Sequence, residues 1–148
     1  GDKGSGASIP PKATLVYDRF KITYVSAPKL LVSDSLFTAL KVGGIKKMKL
    51  LYKKVTTTKD SLLYHGGIDQ YDELWDKLRR AAMYEEAKNA FTFINKTNKN
   101  TTFDFYIIRS LENMGDKKAA KVKLEEVLKQ KLSKEQRAYF EEYREELK

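Results

Sequence analysis

Apolar positions in the second half of the chain recur at helical spacing, and then the whole set recurs. Leu74, Leu78, Ala87, Phe91 and Ile94 are matched, 33 residues later, by Ile107, Leu111, Ala120, Leu124 and Val127. Steps of three and four residues put each run on one face of a helix. Between the two runs of each set stands Ala82 or Gly115, where one helix must turn back along the other. Met114-Gly115-Asp116 suits such a turn, because glycine enters left-handed backbone at no steric cost.

Start signals divide this half further. Asp69 as an N-cap predicts a helix over 70–81, followed by one over 84–97 that ends in the polar loop 95–100. Thr101-Thr102 opens a helix over 102–113, and Asp116 opens another over 116–130. Ser133 with Gln136 three residues on is a capping-box pattern, and it predicts a last helix over 134–147. That helix carries Tyr139, Phe140, Tyr143 and Leu147 against a polar face of Glu141, Glu142, Arg144, Glu145 and Glu146.

The first half is patterned differently. Residues 1–12 are rich in Gly and Ser and bury nothing, which reads as a disordered leader or tether. Residues 13–68 form the next region. Phe20-Lys21-Ile22-Thr23-Tyr24 alternates as a strand does, although positions 15, 16, 19, 20 and 23 also share a helical face. Pro28 ends that segment in either case. Ser33-Asp34-Ser35 then offers an N-cap to helices over 34–42 and 45–55, hinged at Gly43-Gly44. Lys59-Asp60-Ser61 caps a short turn through Leu62-Leu63-Tyr64, which Gly66-Gly67 ends.

Over residues 69–131 the chain resembles the tetratricopeptide-repeat family. The period in the low thirties carries the resemblance, as do Ala87 with Phe91, Ala120 with Leu124, and the Gly115 turn. It departs from the family where Trp75 and Ile108, rather than small residues, follow Leu74 and Ile107. Two copies are also fewer than the roughly three a free-standing array uses, and the helix over 134–147 suits a cap. The resemblance implies a mainly α fold of helical hairpins, an α-α superhelix or bundle. A short N-terminal region, β-containing if 13–25 is a strand, would pack on its open end, and 69–148 would be the helical region. It also implies non-enzymatic protein–protein interaction. The family's groove is lined by the first helix of each pair, and at matching positions here stand Tyr71, Trp75, Asp104 and Ile108. Trp75 and Tyr71 would be anchors, since aromatic residues dominate interface hot spots; core packing is the other reading of both. The basic and amide set that clamps a chaperone's C-terminal carboxylate in some members has no counterpart here.

Composition narrows the chemistry. Cysteine is absent and His65 is the single histidine, which removes disulfides, thiolate catalysis and the usual zinc sets. His65 lies in a Tyr-His-Gly-Gly turn. Carboxylate pairs such as Glu85-Glu86 and Glu125-Glu126 point about 100° apart on a helix and read as solvated faces. No nucleophile, phosphate-loop or metal spacing is present. We therefore expect no enzyme activity, cofactor, metal or small-molecule substrate, and a protein as partner. The net charge of +9 sits almost wholly in residues 1–68, which hold 12 Lys+Arg against 4 Asp+Glu. Within it, Lys46, Lys47, Lys49, Lys53 and Lys54 form a basic patch with no acid anywhere in 41–59. A solvated face is one reading; a module binding nucleic acid or anionic membrane is the alternative. The leader also resembles the start of a mature bacterial lipoprotein, which would place the chain in a cell-envelope assembly; a frayed terminus in a cytoplasmic protein is the other reading.

Overall fold

The structure, a computed structural model, describes residues 29–57 and 64–147. The leader 1–12, the segment 13–25 and most of the turn over 59–64 lie outside the described residues. The protein is mainly α. Among the described residues six helices follow one another: α1 (Val32–Thr57), α2 (Ile68–Arg80), α3 (Tyr84–Thr97), α4 (Thr101–Asn113), α5 (Lys117–Leu128) and α6 (Lys134–Glu146). Two short strands, β1 (Leu30–Leu31) and β2 (Tyr64–His65), pair in parallel, Leu30 opposite Tyr64 and Leu31 opposite His65.

α1 is broken at Gly44, whose φ of 61° and ψ of −163° only glycine adopts readily. The segments 32–43 and 45–57 fold back on each other, so that Ser35, Thr38 and Ala39 share a shallow hollow with Lys47 and Leu51. At Gly43 a Cβ would come within 2.7 Å of the Lys47 Cβ, so the bend is closely packed. α1 starts at Val32, directly from β1, and earlier than a Ser33 cap would allow. Ser33 is buried instead and donates to Gln70 Oε1 at 3.0 Å, tying α1 to α2. α2 likewise starts ahead of Asp69, from Gly67. Asp69 falls in the first turn, where its charge suits the helix dipole, and it accepts from Gln70 Nε2 at 3.0 Å.

The 33-residue repeat is present in the backbone itself. Between α2 and α3, Met83 N–H bonds Leu78 C=O at 2.9 Å and Ala82 N–H bonds Arg79 C=O at 3.1 Å. Between α4 and α5, Asp116 N–H bonds Leu111 C=O at 3.0 Å and Gly115 N–H bonds Glu112 C=O at 2.9 Å. Every donor and acceptor has moved by 33. Each turn passes through a left-handed residue, Ala82 (φ 54°) or Gly115 (φ 80°), which frees the chain to reverse. All ten apolar positions of the repeated pattern are buried. Burying each large aliphatic or aromatic side chain is worth about 1.5–3 kcal/mol, which is why the hairpins close on these faces.

The two hairpins join mainly through α3 against α4. Phe91 and Phe103 stack there, their ring centroids 5.9 Å apart. α1 covers α2 and α3 at one end with Met48, Tyr52 and Val55, and α6 packs at the other end through Phe140, Tyr143 and Leu147. Ser133 and Gln136 form the capping box that starts α6, and Asp116 caps α5 through Ala119 N–H. Asn100, rather than Thr101, caps α4, accepting from Thr102 N–H at 2.9 Å.

Candidate partner-binding groove

The four residues expected on the groove are buried and share no hollow: Tyr71 borders one and Asp104 a separate one. Tyr71, Trp75, Asp104 and Ile108 are only 5%, 8%, 3% and 0% exposed. Trp75 stacks on Tyr106 with centroids 5.3 Å apart and meets Phe91 edge-on at 6.4 Å. Tyr71 packs edge-on against Phe103 at 5.1 Å. Asp104 binds Asn95 Nδ2 at 2.8 Å and Lys123 Nζ at 2.9 Å, a polar tie between the hairpins. Ile108 is wholly enclosed.

The error is one residue of register. Advancing one position on a helix turns the side chain by about 100°, and the positions that reach the open side are Asp72, Asp76, Phe105 and Arg109. These are again two pairs 33 residues apart. The sequence does carry a signal for this: Asp72, Glu73 and Asp76 are charged and belong outside, which leaves Tyr71 and Trp75 with Leu74 and Leu78 inside.

The groove runs over α2, α4 and α6. Asp72, Thr102, Phe105 and Tyr106 face Glu135, Gln136 and Tyr139 across a hollow of about 470 Å³. Arg109, Glu142, Tyr143 and Glu146 line a smaller hollow of about 250 Å³ that shares Phe105 and Tyr139 with it. Phe105 is half-buried at the centre. Tyr139, 48% exposed, meets it edge-on at 5.5 Å, and Tyr143 does so at 5.8 Å. The guanidinium of Arg109 lies 5.6 Å from the Tyr143 ring and donates to Glu112 at 2.9 Å and to the Tyr143 hydroxyl at 3.2 Å. Tyr143 in turn donates to Glu112, and Tyr106 donates to Asp72.

Burial pushes the Tyr143 phenol up to about 12, with the hydrogen bond to Glu112 acting in the same direction. Burial, then the bond to Asp72, raises Tyr106 as well. Both phenols are therefore neutral donors at neutral pH. Around them Asp72, Glu135, Glu142 and Glu146 outnumber Arg109, so the walls are acidic although the protein as a whole is basic.

The basic patch divides. Lys46, Lys53 and Lys54 are exposed on the outer side of α1 and Lys47 is exposed at the edge of the fold-back hollow, whereas Lys49 is half-buried with Nζ 5.3 Å from the Phe93 ring on α3. Lys46, Lys49 and Lys53 therefore do not form one free face. Exposed Leu50 stands among the other four, and the charge pattern alone did not bring it out. His65 is exposed beside Asp69, 3.2 Å from its carboxylate. Among the described residues no cluster of His, Asp or Glu could hold a metal ion, and no helix is long and apolar enough to cross a membrane. No family model, curated protein or solved structure matches the chain.

Proposed function

We propose that the protein is a non-enzymatic interaction module of tetratricopeptide-like hairpins that docks a segment of a partner protein along α2, α4 and α6. One observation carries this reading. Phe105 and Tyr139 offer an aromatic floor, part of it open to solvent, inside a rim of carboxylates. A segment with a bulky apolar side chain flanked by Lys or Arg complements that surface, since aromatic contacts supply affinity and opposite charge supplies orientation. A cell-envelope assembly is the setting we attach to it, on the strength of the Gly- and Ser-rich leader.

Selection of displayed peptides on the immobilised protein tests the proposal. Enriched peptides should be basic with an aromatic or aliphatic anchor. Tyr139→Ala should weaken them roughly tenfold or more, as removal of a hot-spot ring does, without loss of helical signal. Val122→Ser, on the exposed side of α5, should leave them unaffected. Peptides that bind wild type and Tyr139→Ala alike would place the interaction elsewhere. The alternative, a basic module acting through residues 46–54, is supported by the four exposed lysines of α1.

A further inference from the structure

Leu50 is 71% exposed, more than any other large apolar side chain among the described residues. Its surroundings are specific. Lys46 and Lys54 stand four residues to either side and Lys47 and Lys53 three, which are the positions that neighbour it on a helix surface. All four are exposed. The result is a raised apolar point inside a ring of four cations spanning about 12 Å along the axis. No acid lies in this half of α1; Asp34, of the other half, borders the same hollow as Lys47 and is engaged by Lys77 at 3.4 Å.

The helix cannot roll to present another side. Met48, Tyr52 and Val55 hold its inner face in the core, and Lys49 lies over Phe93. α1 packs on the strands, α2 and α3, so its outer face stands at one end of the helix stack, away from the groove.

We infer that this face rests on an anionic membrane leaflet, with Leu50 entering the headgroup layer and the four lysines on lipid phosphates. The apolar centre distinguishes this partner from nucleic acid. A phosphodiester backbone gains nothing from an exposed leucine, whereas an interfacial contact combines shallow apolar insertion with attraction to anionic lipid. The patch also lacks what a nucleic-acid surface would use. It has no arginine to read base edges, and Tyr52, its aromatic residue, is buried and cannot stack on a base. One leucine and four lysines give reversible attachment, as a single shallow anchor does.

Co-sedimentation of the full chain with vesicles tests this. Phosphatidylcholine vesicles containing phosphatidylglycerol should pellet the protein at low salt, with the bound fraction falling as salt rises. Pure phosphatidylcholine should not pellet it. Each lysine contributes roughly fivefold to partition, so Lys46→Gln with Lys53→Gln should lower it by about 25-fold. Leu50→Ser should also lower it, while Tyr139→Ala, in the groove, should leave it unchanged. All of these side chains are exposed, so helical content is retained. Equal pelleting with both lipids, or none with either at low salt, overturns the inference. So does a Leu50→Ser variant that pellets like wild type while the protein binds a labelled oligonucleotide in a salt-sensitive way; that result assigns the lysines to nucleic acid.

Discussion

Trp75 lies where the core meets the groove. One face of its indole stacks on Tyr106, Phe91 closes its edge, and Tyr106 is in turn fixed by Asp72 at the groove wall. Trp75→Ala would empty a site that rigid neighbours cannot refill, and such truncations cost about 3–5 kcal/mol. Against a total stability of about 5–15 kcal/mol that is a large fraction. The urea midpoint should fall accordingly, with Trp75→Phe losing less because a ring still meets Tyr106. A midpoint unmoved by Trp75→Ala would show that the indole is not a core element. A large aromatic side chain is compatible with either an interface anchor or a core, so the residue type could not decide its place. The charged neighbours Asp72, Glu73 and Asp76 decide it, because a carboxylate without a partner is costly to bury.

At the scale of elements, the two hairpins make the same turn with different residues. Ala82 occupies a left-handed conformation that Gly115 occupies in the second copy, and for an L-residue this costs roughly 1–2 kcal/mol. Around Gly115 a Cβ would meet nothing within 4 Å, and Ala82 is exposed, so backbone strain rather than packing separates the two. Ala82→Gly should therefore stabilise the protein by about 0.5–1 kcal/mol and Gly115→Ala should destabilise it by about 1 kcal/mol. Paired denaturant melts check both, and a neutral Gly115→Ala would mean that the turn does not depend on left-handed geometry. Caps were legible where the signal is local: Asp116 and the Ser133–Gln136 box each act within four residues. The starts of α1 and α2 were not, because the β1–β2 pair joins residues 34 apart and delivers the chain into both helices early. Two-residue strands leave no period to read.

For the whole molecule, two copies of a hairpin leave two open faces, and chain outside the repeat covers each. α1, with no trace of the 33-residue period, lies on α2 and α3; α6 lies on α5 and reaches α4 through Tyr139 and Tyr143. Packing is thus chiefly between neighbours along the stack, and stability in such an array is a sum of local units and their interfaces. The most extensive interface is α3 with α4, where Phe91, Ile94, Phe103 and Ile108 are wholly buried. α6 holds on through fewer side chains and exposes most of its length. Native-state hydrogen exchange should therefore be slowest in α3 and α4 and measurably faster in α6, because partial opening follows local contact density. The groove would then have one firm wall, α4, and one that can yield, α6, which is the helix bearing Tyr139. A partner seated on Phe105 and Tyr139 should slow exchange in α6 far more than in α3. If α6 exchanges as slowly as α4 in the free protein, the stack opens as one unit, and binding at the groove would protect all six helices alike.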